Sequence, residues 1–234
     1  MQAQGASAPL RRRAWIAGVG ALLAGWALPG WPPPVQALQL DAQRLEATMR
    51  AQYGERGVQA LREWQALLKA QAGQPLAAQL AAVNGFWNRI VLASDDAVLW
   101  GQPDYWATPL QTLGRRAGDC EDFVIGKYFS LLHLGVPGEA LRFIYVRARI
   151  GGVGSAHSVA HMVLGHYATP DAEPQVLDNL TGSISPASAR ADLTPVFSFN
   201  AQGIYVPGAR TTPAERISRW PDLLARMREE GFLP

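Results

Sequence analysis

Apolar residues recur every three or four positions through residues 40–69: Leu45, Met49 and Tyr53, then Val58, Leu61, Leu67 and Leu68. That spacing predicts an amphipathic helix, and Gly54 and Gly57 predict a break inside it. Gly73-Gln74-Pro75 separates it from a second helix, predicted over 76–88. The two make one helical N-terminal layer. Residues 90–118 read as short and irregular, with Gly101, Pro103, Pro109 and Gly114. Helical spacing returns over 123–134, with apolar residues at 123, 124, 128, 131, 132 and 134. Asp119 suits its N-cap, Glu121 and Asp122 its first turn, and Gly135-Val136-Pro137 its end.

Beyond that point the period falls to two. Residues 141–150 (LRFIYVRARI) alternate apolar and basic side chains, which predicts a half-buried strand. A glycine-rich loop, 151–155, leads to a second strand over 160–167 (AHMVLGHY). A turn at 169–174 leads to a third over 175–180 (QVLDNL). Two short strands, 195–199 and 203–206, and a terminal helix, 213–230, complete the pattern. Helices first and an antiparallel sheet afterwards predict an α+β domain.

The first 37 residues stand apart. Arg11-Arg12-Arg13 precedes an apolar run at 14–28 that is short for a membrane span, and prolines follow from 29 to 34. Val35-Gln36-Ala37 offers the small residues a signal peptidase requires. Residues 1–37 are therefore expected to be a cleaved export signal, by the Sec or the twin-arginine route, and 38–234 a single domain. The signal carries three of the 21 basic residues and no acidic one, which leaves 18 basic against 19 acidic side chains, a formal charge of −1. No basic stripe remains, which disfavours nucleic acid as a partner.

The chain has one cysteine, Cys120, in Gly118-Asp119-Cys120-Glu121-Asp122. It cannot form an internal disulfide, so its sulfur is either a small buried group or a reactive thiol. A helix start favours an anionic sulfur, while three adjacent carboxylates oppose it. A cation near them resolves that conflict. A thiol nucleophile needs a base and an orienting partner. Of the four histidines, His133 lies in a helix body, His157 in the glycine-rich loop, and His161 and His166 on opposite faces of one strand. Pairing that strand with the next brings His161 opposite Asp178.

The segments Gly118–Asp122, Lys127-Tyr128-Phe129, Ala160-His161-Met162-Val163-Leu164, Tyr167–Asp171 and Leu177-Asp178-Asn179-Leu180 resemble the bacterial transglutaminase-like cysteine proteinases, and most of all their periplasmic members. Residues 104–109 (DYWATP) and 195–200 (PVFSFN) match as well, and the likeness runs from about residue 84 to 203. It implies a papain/transglutaminase-like core and a catalytic triad of Cys120, His161 and Asp178. It also implies Ca²⁺ dependence through Asp119, Glu121 and Asp122. The loop at 151–158 is longer than the resemblance leads one to expect and carries His157. The AHMVL motif assigns the base to His161. The Cys120 backbone N–H is expected to stabilise an oxyanion, with the Trp106 indole as a candidate second donor.

The activity implied is that of a periplasmic cysteine endopeptidase. Its substrate would be the N-terminal region of a large surface adhesin, whose release disperses a biofilm. Its inhibitory partner would be an inner-membrane receptor for cyclic di-GMP. Acyl transfer to an amine, as in a transglutaminase or amidase, is the alternative for the same triad. A non-catalytic calcium-binding module is the alternative without it.

Overall fold

The computed structural model describes residues 38–206 and 219–233. The expected export signal, and residues 213–218 of the expected terminal helix, lie outside them. In chain order the elements are β1 (Gln39–Leu40), α1 (Ala42–Gln71), α2 (Leu76–Ile90), β2 (Leu92–Ala93), α3 (Asp96–Leu99), α4 (Pro109–Arg115), β3 (Ala117–Gly118) and α5 (Cys120–His133). Then come β4 (Leu141–Arg149), β5 (Ser158–His166), β6 (Gln175–Leu177), β7 (Ser185–Pro186), β8 (Leu193–Asn200), β9 (Gly203–Tyr205), α6 (Arg219–Glu230) and β10 (Phe232–Leu233).

The long α1 is broken where the glycines predict. Gly54 has φ 64°, a left-handed conformation that only glycine adopts freely. The stretch expected to be irregular is partly helical. Thr108 caps α4 by accepting the Gln111 N–H, and the Gln111 side chain accepts the Thr108 N–H in return. That reciprocal box, with Pro109 at the first helical position, nucleates a helix of only seven residues.

Six strands form one antiparallel sheet in the order β7-β6-β5-β4-β8-β9. Alternation gives it two faces. Phe143, Met162, Leu164, Leu177 and Phe199 join the main core under the helices, and Ile144, Val146, Val163 and Val176 form a smaller cluster on the other side.

Helix α5 runs between that sheet and the N-terminal helices, and residues 121–131 are all buried. Gly126 lets α2 approach, because a Cβ there would lie 2.6 Å from the Trp87 ring. The Ser130 hydroxyl accepts the indole N–H groups of Trp64 (2.8 Å) and Trp87 (3.0 Å) and donates to the Gly126 carbonyl. One hydroxyl thus ties three helices where no water can serve. The first residue of the helix, Cys120, lines one cleft with His161 of β5. No helix among the described residues is long and apolar enough to cross a membrane.

Candidate active site

Asp119 caps α5 by accepting the N–H groups of Glu121 (3.1 Å) and Asp122 (3.3 Å). Cys120 is therefore the first helical residue. It lines a cleft of about 570 Å³ together with Ala93, Ser94, Asp95, Val98, Asp119, Glu121, Tyr145, Ala160 and His161. Its sulfur lies 2.7 Å from Glu121 Oε2. Burial pushes the thiol pKa well up, and the Glu121 and Asp119 carboxylates push it further. The Met162 backbone N–H acts on the thiol in the lowering direction, as the smallest of these influences. Burial and the carboxylates oppose the helix start, which alone would favour the thiolate.

His161 Nε2 lies 2.8 Å from Asp178 Oδ1, and both side chains are buried. The geometry differs from the expected one in a detail. Strand β6 ends at Leu177, with Leu164 opposite Leu177, so Asp178 lies just past the strand and reaches His161 diagonally. Asp178 is fully partnered. Oδ1 also accepts the Leu180 N–H (3.0 Å), and Oδ2 accepts from Arg190 (2.7 Å). Burial raises its pKa, but the bond and charge of His161, the Leu180 N–H and Arg190 outweigh burial and hold it at about 2. The turn carrying it is pinned from α2, where Asn88 Nδ2 donates to the Asp178 carbonyl at 2.7 Å. Nothing in the local sequence marked Arg190 or Asn88 for this, since each acts across a long stretch of chain.

The acidic residues divide. Asp119 and Asp122 gather with Asp96, and carboxylate oxygens of the three lie within 4.8 Å of one another. The sequence reading omitted Asp96, whose only local signal is the Asp95-Asp96 pair. Glu121 turns away from this group. Its Oε1 accepts the Tyr145 hydroxyl (3.0 Å), and its Oε2 faces the Cys120 sulfur. The backbone satisfies one oxygen each of the two buried carboxylates, through Tyr105 N–H on Asp96 Oδ2 (2.5 Å) and Ala107 N–H on Asp122 Oδ1 (2.8 Å). Asp96 Oδ1 and Asp122 Oδ2 are buried and have no partner. Gly118 leaves the room, because a Cβ there would lie 2.6 Å from Asp122 Oδ2.

The electrostatics agree. Burial first, then repulsion from Glu121 and from one another, raises the pKa of Asp119 to about 9, that of Asp122 well above the carboxylate range, and that of Asp96 upward. Converging, unpartnered carboxylate oxygens are the donor set of a hard divalent cation, and Ca²⁺ fits it.

The other candidates take structural places. His157 is exposed and outside the cleft lining. His133 bonds the Leu38 carbonyl through Nδ1 at 2.7 Å. The Trp106 ring is stacked on Phe143 and Phe199 in the core and does not line the cleft, which argues against its role as an oxyanion donor.

No curated protein matches the chain. Among solved structures, Legionella pneumophila LapG is similar at 34% identity and TM-score 0.68, over 79% of this chain and 95% of that one. Its calcium-bound form matches at 34% identity and TM-score 0.67, over 79% of this chain and 98% of that one. Its EGTA-treated form matches at 33% and 0.70, over 82% and 100%. The profile of the bacterial transglutaminase-like cysteine proteinases (BTLCP) covers residues 57–191. On this agreement of family profile and fold, the chain belongs to the bacterial transglutaminase-like cysteine proteinases.

Proposed function

We propose that the protein is a calcium-dependent periplasmic cysteine endopeptidase acting through Cys120, His161 and Asp178. The observation that carries this reading is the 2.8 Å bond from His161 to Asp178, beside the cleft that His161 shares with Cys120. Ionised Asp178 takes the Nε2–H of His161 and leaves Nδ1 as the basic nitrogen. Nδ1 removes the proton of Cys120. The sulfur attacks the peptide carbonyl carbon, and the Cys120 backbone N–H steadies the oxyanion. The imidazolium then protonates the departing amine, and the thioester remains. His161 next deprotonates a water that hydrolyses the thioester and frees the thiol. Asp178 balances the imidazolium throughout. Asp96, Asp119 and Asp122 are the residues that would hold Ca²⁺, whose charge offsets the carboxylates beside the thiol.

The motif resemblance supports the finer part of the proposal. The substrate is the N-terminal region of a large surface adhesin, released to disperse a biofilm. The inhibitory partner is an inner-membrane cyclic di-GMP receptor. The test is incubation of the purified protein with such an adhesin segment. Cleavage is expected with calcium, is lost in Cys120→Ala, and falls sharply in EGTA. An amine-labelled glutamine in place of a cut chain would assign acyl transfer instead. Cutting by Cys120→Ala would remove the nucleophile.

A further inference from the structure

The side of the sheet away from α5 carries a cavity of about 380 Å³ that none of Cys120, His161 and Asp178 lines. Its floor is apolar, made by Ile144 and Val146 of β4, Val163 of β5 and Val176 of β6. Side chains alternate along a strand, so Arg142 projects to the same side of β4 as Ile144 and Val146. One arginine therefore stands at the start of this floor. A second, Arg190, stands at its far end. The Asp192 carbonyl accepts the Arg149 N–H, and Leu193 pairs with Ala148, so residues 190–193 run beside the last residues of β4. Both arginines line the cavity.

The two guanidinium groups are incomplete in different ways. Arg142 lies over the rings of Tyr167 (4.2 Å) and Tyr205 (4.1 Å), and its Nη2 donates to the Pro170 carbonyl at 3.0 Å. Its Nε is buried without a partner, and no carboxylate among the described residues pairs with it. Its charge is unmatched there. Arg190 has its charge matched, because Nη2 donates to Asp178 and Asp192 and Nε to Asp192. Yet its side chain is only 10% exposed, and Nη1 is buried with no partner. Buried donors are rarely left so. One end of the cavity thus lacks an anion. The other lacks a neutral acceptor, since a further anion there would be repelled by Asp178 and Asp192.

We propose that this cavity binds an elongated apolar acid, with its carboxylate on Arg142, its chain along the valine and isoleucine floor, and a carbonyl or hydroxyl oxygen at its far end on Arg190 Nη1. Burial of the chain drives binding, and the polar ends orient it. The site is separate from the cleft of Cys120 and does not depend on the peptidase reading. It lies one side chain from the triad, because the guanidinium that takes the far oxygen also holds Asp178.

The test is calorimetric titration of the purified protein with monomethyl sebacate, an apolar acid with an ester at its far end. Decanoate lacks the ester, and dimethyl sebacate lacks the charge. The monoester is expected to bind about tenfold tighter than the diester and about fivefold tighter than decanoate. Both orders run against simple apolar burial, which favours the uncharged diester and disfavours an ester carbonyl without a donor. In Arg142→Gln the preference for the monoester over the diester is expected to vanish. The two ratios in the parent stand whether or not that variant folds. A diester that binds the parent as tightly as the monoester overturns the proposal, and so does a folded Arg142→Gln that keeps the preference. Decanoate as tight as the monoester overturns the role given to Arg190. Failure of all three to bind at about 1 mM overturns the site altogether.

Discussion

The carboxylate of Asp178 and the cluster of Asp96, Asp119 and Asp122 are finished in opposite ways. Asp178 meets an imidazole, a guanidinium and a backbone N–H, and is held at about 2. Asp96, Asp119 and Asp122 meet one another, and Asp119 is driven to about 9. The chemistry of the side chain is the same. What differs is whether a protein cation stands beside the carboxylate, as Arg190 does at Asp178, or only other carboxylates do. A carboxylate already satisfied by protein donors is fit to steer a proton. Carboxylates left with bare oxygens are fit to bind a metal.

The largest effect that tests this contrast is at Asp178. Asp178→Asn keeps the shape but presents an amide where His161 needs an anion. A fall in kcat of about 10³- to 10⁴-fold is expected. Asp178→Ala also leaves Arg190 and His161 without their shared partner, and costs about 3 kcal/mol or more of stability by urea unfolding. If Asp178→Asn kept most of its activity, Asp178 would be a structural anchor only.

The same substitution in the other group is expected to have the opposite sign for stability. Asp122→Asn removes a repelled buried charge. Without calcium the variant should melt about 2–4 °C higher than the parent, a gain of about 1 kcal/mol. With calcium it should bind the ion about tenfold or more weakly by calorimetric titration, since charge count sets affinity. A lower melting temperature in EGTA would mean that the three carboxylates are already matched by protein donors.

How much of this contrast could be read from the chain follows from the range of the interactions. The start of α5, its cap and the alternation of β4 are set by neighbours within a few residues, and the sequence pattern locates them. Helix α4 was equally local, and the Thr108-Pro109-Leu110-Gln111 capping signal was overlooked among prolines and glycines. The pairing of Asp96 with Asp119 and Asp122 was beyond reach, because the loop at 104–108 places it. That loop is pinned by Arg226 of α6, which donates to the Tyr105 hydroxyl and to the Trp106 carbonyl. Arg190 on Asp178 is the same kind of case. Sequence pattern reports which residues share a face of one element, not which loop a distant arginine will hold.

pH sharpens the contrast further. Asp178 has a folded pKa below the usual 3.8, so it contributes stability above about pH 4 that is lost as pH falls toward 2. Asp119 has a folded pKa raised to about 9, so the folded state binds the extra proton between about pH 4 and 9. Stability of the cation-free protein should therefore fall as pH rises through that window. Saturating calcium should flatten the slope, because the ion replaces the proton. Calorimetric melting at pH 4, 6 and 8, in EGTA and in calcium, measures it. A cation-free slope no steeper than the calcium-bound one would refute the account of the acidic group.

A third carboxylate separates the effect of burial from that of a cation site. Glu230 is buried at the end of α6, where one oxygen accepts the Thr108 hydroxyl at 2.8 Å and the other has no partner. Burial raises its pKa to about 7 against the smaller pull of Thr108 and Arg226. It lies outside the three-carboxylate group and outside the cleft lining. Its folded pKa is raised, so between about pH 4.5 and 7 it makes stability fall as pH rises, with or without calcium. Glu230→Gln keeps the acceptor for Thr108 and removes the ionisation. The variant should lose ~3 kcal/mol of the pH dependence in that window, equally in EGTA and in calcium, with kcat/KM unchanged. Were the loss confined to EGTA, calcium would be acting on Glu230 as well, and the slope assigned to Asp119 would have to be divided between them.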